Sequence, residues 1–182
     1  IVMQALIVGI AVYCFGFFVV HWMDEFSRPR GELMVGYTVM SFSAGILAPM
    51  VGVLIDKYSK RVLVLIGVIS YALGLLLISQ AHAPWFIVGI FGLILPLAMS
   101  LAGPLMAQTL VANAFEQNRG SALGLCSLGT SIGGFTMPII VTGLLGIYEW
   151  RHVFIMLAVV IAVTVVPIAF WVLKSSPSAA AS

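Results

Sequence analysis

Charge is what this chain has least of: 14 of its 182 residues are Asp, Glu, Lys or Arg, 8% of the whole. A soluble domain carries about a quarter, so an ordinary soluble fold is excluded. The formal net charge of +2 comes from a handful of scattered groups, with no basic run of five that a nucleic acid would need. The two cysteines, Cys14 and Cys126, lie far apart inside apolar stretches. That pattern fits neither a disulfide framework nor a zinc site, and both are read as packing residues. The sequence also has no Ser-His-Asp set, no phosphate-binding Gly-x4-Gly-Lys-Ser/Thr loop and no His-Glu-x2-His. Nothing supports an enzyme, a resident metal or a cofactor.

What the chain has is apolar length, with 62% of its residues hydrophobic. A bilayer core about 30 Å thick takes roughly 20 apolar residues per helix, so the chain has room for six spans. Charges, prolines and glycines place them near 1 to 20, 33 to 54, 62 to 80, 85 to 110, 121 to 146 and 152 to 173. Residues 1 to 173 thus form one all-α, polytopic bundle in the lipid bilayer, and 174 to 182 read as a flexible tail or the start of a linker. The chain opens with Ile1 inside an apolar run, which reads as continuing from an earlier segment. The second loop, the fourth loop and the tail hold Lys57, Lys60, Arg61, Arg119 and Lys174, while the other loops hold Arg28, Arg30 and Arg151. The positive-inside rule then puts both termini on the cytoplasmic side.

A repeat runs through the chain. Arg30, Gly31, Gly45 and Pro49 recur 89 residues later as Arg119, Gly120, Gly134 and Pro138; Thr38 maps to Ser127 and Ala44 to Gly133. Small and backbone-shaping residues of this kind set close helix packing, and Gly120 with Gly124, and Gly129 with Gly133, form small-xxx-small pairs. A shift of three spans, an odd number, reverses the membrane direction of the second copy. The fold expected is therefore six helices as a 3+3 inverted repeat.

The most specific local feature is the second loop: Gly52, Leu54, Asp56, Lys57, Ser59, Lys60, Arg61 and Val62. It resembles the signature loop of the major facilitator superfamily, Gly-x-Leu-x-Asp-Arg-x-Gly-Arg-Arg, with Ser59 where the second glycine is usual. Phe26 to Glu32, then Ser41, Gly45, Ala48 and Pro49, look like monocarboxylate-transporter-like and oxalate/formate-antiporter-like members. So do Phe115, Arg119, Gly120, Ala122, Gly124, Gly129, Ser131, Gly133 and Gly134, and Trp150 with Arg151 at the sixth span. The resemblance covers nearly the whole chain but half of a twelve-span member. It implies the N-terminal half of a major facilitator fold, in a plasma or bacterial inner membrane, carrying a small organic anion by alternating access. It further implies a gating loop of Gly52, Asp56, Lys57, Lys60 and Arg61, and a missing C-terminal half or a second copy as partner. The rival expectation is a truncated or half-sized protein with an assembly or regulatory role. Drug antiport is disfavoured, because residues 85 to 110 hold no charge and the fifth span lacks a Gly-Pro-x-x-Gly-Gly run.

No acid or base lies mid-span, so the substrate-cavity candidates are neutral: Tyr13 in the first span, and Ser100 and Gln108 in the fourth. Pro96, Ser100, Pro104 and Gln108 recur every fourth residue and form one stripe on a regular helix. Prolines at that depth free backbone carbonyls, which are tolerated only beside protein or a wet cavity.

Overall fold

The computed structural model describes residues 2–114 and 119–174, with side chains described over 2–111 and 120–167. Ile1, Phe115, Glu116 and the tail at 175–182 lie outside the described residues, as do the side chains of Arg119 and Lys174. Among the described residues every regular element is a helix.

The first span consists of α1 (Val2–Val8), a π-helical turn (Gly9–Tyr13) and α2 (Phe15–Phe26), bent by 41°. It runs to Phe26 rather than stopping near residue 20. Trp22, fully buried, carries the apolar face past the expected end. Ser27, at φ 48°, then turns the chain into the left-handed region, and Pro29 holds an extended backbone before α3 (Arg30–Lys57) begins. Glu32 in the first turn of α3 and Lys57 in its last complement the helix dipole. Two residues, Tyr58 and Ser59, separate α3 from α4 (Lys60–Ser79). Ser59 sits at φ −58°, a conformation that needs no glycine.

The fourth span is α5 (Pro84–Gly89), a second π-helical turn (Ile90–Ile94), α6 (Leu95–Ala102) and α7 (Pro104–Ala114), interrupted at Gly103. The fifth is α8 (Arg119–Leu145) and the sixth α9 (Trp150–Lys174). Among the described residues, five helices are long and apolar enough to cross a membrane, and six if the bent first pair is one span. The repeat read from the residues is visible in the elements, since Pro49 inside α3 and Pro138 inside α8 stand 89 residues apart.

α4 lies at the centre, packed on α9 and α6, with Val68, Tyr71, Leu75 and Ile78 fully buried. An aromatic cluster closes one end of the core. Trp22 stacks on Phe154 at 6.1 Å, Phe18 lies 4.2 Å from Phe154, and Phe15 meets Phe91 edge-on at 4.9 Å. Burial is uneven among the spans. In the most apolar stretch of each helix, 61% of Pro84–Val111 is buried, against 17% for α3 and 22% for α8. The repeat-mates α3 and α8 therefore present the outward faces, led by Phe42 and Phe135, each 73% exposed.

Candidate functional site

The tightest helix contact joins the first and fifth spans. A Cβ built on Gly133 would lie 2.2 Å from the Ala5 carbonyl oxygen, and one on Gly9 would lie 2.5 Å from Met137 Cγ. Only glycine lets the two backbones approach so closely. Across this seam the Thr130 hydroxyl donates to the buried Gln4 Oε1 at 3.4 Å, and from the third span the Tyr71 hydroxyl of α4 donates to the Ile7 carbonyl of α1 at 2.8 Å. The polar groups of a dry helix junction are thus turned on one another.

Tyr13 lies at the edge of the seam. Its ring rests on Gly134, where an added Cβ would stand 2.9 Å from Cζ, yet 43% of the residue is exposed. It therefore faces the open side between α2 and α8. Beyond it the same two helices border a cleft of about 300 Å³ lined by Phe17, Val20, His21, Thr142, Leu145 and Gly146. The His21 Nδ1 pairs with the Phe17 carbonyl at 3.2 Å, and the Thr142 hydroxyl donates to the Pro138 carbonyl at 2.7 Å. The cleft is open and almost wholly apolar, and both of its polar side chains are turned to backbone carbonyls.

Ser100 and Gln108 are not brought to one face. Ser100 is buried in α6 and Gln108 is exposed on α7. The stripe of fourth residues fails because Gly103, at ψ −149°, leaves the helical region between them. At that break the Gly103 N–H bonds to the Met99 carbonyl at 2.6 Å.

The glycines divide as well. Gly133 and Gly134 sit in contact, and Gly129 is buried, whereas a Cβ on Gly45, Gly52, Gly120 or Gly124 would meet nothing within 4 Å. Packing inside this unit uses the first group, and the Gly120 and Gly124 pair opens outward. Pro49 is likewise exposed and Pro138 half-buried. In the second loop Asp56 and Lys57 are exposed at the end of α3, and Lys60 and Arg61 are half-buried at the start of α4.

One cluster had no signal strong enough to find it from the residues alone. Glu25 at the end of α2 accepts from Arg151 at 2.5 Å and from the indole N–H of Trp150, and Arg151 also donates to the Ala81 carbonyl at 2.6 Å. The Arg151 guanidinium lies 4.3 Å above the Trp150 ring. This clamp ties the ends of the first, third and sixth spans together. Glu25, near the end of α2, and Arg151, in the first turn of α9, stand 126 residues apart, and no spacing rule links them.

Comparison with known proteins places this architecture. Monocarboxylate transporter 14 of Homo sapiens is 31% identical over 136 residues, covering 73% of this chain and 26% of that protein. The uncharacterised MFS-type transporter YcxA of Bacillus subtilis is 23% identical over 167 residues, 92% of this chain and 41% of that protein. Monocarboxylate transporter 9 of Rattus norvegicus is 27% identical over 120 residues, 66% of this chain and 23% of that protein. The chain thus spans well under half the length of these relatives. The family model of the Major Facilitator Superfamily matches residues 1–182 from end to end, and with apolar spans and inverted repeat together the chain belongs to that superfamily of membrane transporters.

Proposed function

We propose that the chain is the N-terminal six-span unit, residues 1 to 173, of a secondary transporter that moves a small organic anion, monocarboxylate-like, by alternating access. Its partner is a second six-span unit, either the continuation of the same chain or a second copy. The observation that carries this reading is the uneven burial. The outward apolar faces belong to α3 and α8, which are repeat-mates, and Tyr13 opens between α2 and α8. A second unit seated on those faces encloses the Tyr13 side as a cavity and uses the open Gly45, Pro49, Gly120 and Gly124 for close approach.

In this mechanism Tyr13 contributes a neutral hydrogen-bonding group to the cavity, and a cation for the carboxylate comes from the second unit. The bundle rocks as one body, held at its core by the aromatic cluster and at one end by the Glu25–Arg151 clamp. The Gly52 to Arg61 loop gates. Asp56, exposed at the end of α3, is available to hydrogen-bond donors on the opposing unit and so holds one of the alternating states. Both termini are cytoplasmic, and the host is a plasma or bacterial inner membrane.

The test has two steps. The intact mass of the protein extracted from its own membrane should be near twice 19.4 kDa, or a dimer of that mass should form. Uptake of radiolabelled short-chain monocarboxylates into proteoliposomes should then saturate, with Tyr13→Ala raising KM. A monomer of 19.4 kDa without uptake defeats the proposal.

A further inference from the structure

The ring of Tyr13 rests on α8 at a place where the helix has no side chain. A Cβ built on Gly134 would lie 2.9, 3.0 and 3.1 Å from Tyr13 Cζ, Cε2 and Cε1. Those three ring carbons, and not the hydroxyl oxygen, are its nearest neighbours, so α8 meets the face of the ring and not its edge. Ordinary carbon–carbon contact is about 3.5–4.0 Å, and the ring therefore fills the space a methyl group would need. No polar contact holds it there, since the Tyr13 hydroxyl has no hydrogen-bond partner among the described residues. Gly45, the repeat-mate of Gly134, would carry a Cβ with nothing within 4 Å. The glycine at 134 thus answers to Tyr13 and not to a general need of the repeated helix. The backbones beside it are already in contact, with Gly133 against the Ala5 carbonyl and Gly9 against Met137. Bulk added at 134 is therefore taken up by the Tyr13 side chain, which can turn only toward the open side where the residue is 43% exposed.

We propose that Gly134 is a positioning residue that seats the Tyr13 ring against α8 and so sets how much room an incoming acid finds beside it. The functional consequence rests on the reading of Tyr13 as a cavity residue; the seating itself does not. Gly134→Ala lifts the ring by about 1 Å, or swings it further outward, to restore ordinary contact. A small acid still fits the narrowed space, whereas a branched one meets the ring. Room for a single methyl group in a pocket is worth about tenfold or more in discrimination, so the residue under the ring determines which acids are admitted.

The native assembly is the material for the test, solubilised in detergent with fluorotyrosine placed at position 13 alone, so that one fluorine resonance reports the ring. Gly134→Ala should move that resonance. Gly143→Ala, on the same helix but with nothing within 4 Å of its Cβ, should leave it in place. Uptake into proteoliposomes is then measured with acetate and isovalerate. The KM for isovalerate relative to acetate should rise about tenfold with Gly134→Ala. In a Tyr13→Ala background the same change should leave the ratio alone, because the ring it displaces is gone. An unmoved resonance overturns the seating. A ratio unchanged by Gly134→Ala, or changed as much without the Tyr13 ring, overturns the selectivity role. A moved resonance with no uptake in parent or variant leaves the seating in place and removes the transport reading.

Discussion

Cys14 and Gly103 interrupt the first and fourth spans 89 residues apart, the same shift that relates Arg30 to Arg119 and Pro49 to Pro138. Each precedes a helix restarting at the next residue, Phe15 or Pro104. The two breaks are thus one feature of the repeated unit, copied with inverted direction.

The break at Gly103 depends on the missing side chain, because a Cβ there would stand 2.3 Å from the Met99 carbonyl oxygen, a backbone atom that cannot swing aside. Gly103→Ala is therefore expected to cost about 1–3 kcal/mol, read as a fall of roughly 3–10 °C in the melting midpoint of the detergent-purified protein. An unchanged midpoint removes the steric account of the break.

Much of the fold was legible because lipid imposes few choices. Sixty-two per cent apolar residues and sparse charge leave only helices, and the recurrence of Arg-Gly, Gly and Pro gave the inverted repeat. The helix breaks were not legible. Gly103 is one of 18 glycines, and no residue pattern within Gly9–Tyr13 marks it as a π turn. Spacing rules assume an uninterrupted helix, which is why they put Ser100 and Gln108 on one face while the break at Gly103 parts them. Nor does a glycine pair disclose whether its partner lies inside the unit: Gly133 meets Ala5, whereas Gly120 and Gly124 meet open space.

That division of the glycines has a direct consequence. Gly133→Ala drives a methyl group to 2.2 Å from the Ala5 carbonyl and forces α1 away from α8, at about 1–3 kcal/mol. Gly120→Ala meets nothing within 4 Å and gains helix propensity, so the isolated chain should melt at the same temperature or slightly higher. Thermal unfolding of the two variants side by side decides it, and equal losses in both defeat the assignment.

The clamp at the end of the bundle should show coupling between Glu25 and Arg151. Their side chains are 33% and 26% exposed, so solvent screens the pair and the Coulomb gain is modest. The arginine nonetheless holds two acceptors, Glu25 and the Ala81 carbonyl, over the Trp150 ring. A double-mutant cycle of Glu25→Gln and Arg151→Gln is expected to give a coupling of about 1 kcal/mol. Arg151→Lys should not recover it, since an ammonium lacks the planar fork that reaches both acceptors. Additive effects of the two changes would show that the contact does not hold the spans together.

The gating role of Asp56 is tested by a substitution that leaves the bundle alone. Asp56 is exposed at the end of α3, outside the buried core, so Asp56→Ala should not alter membrane insertion or the melting midpoint. Its carboxylate is nevertheless the acidic group of the Gly52 to Arg61 loop, and a latch to donors on a second unit acts only while both units are present. In the full-length transporter the variant is therefore expected to slow uptake several-fold, with Asp56→Glu recovering part of the rate. Initial rates in proteoliposomes, normalised to inserted protein, separate the cases: equal rates for Asp56→Ala and the parent remove the latch.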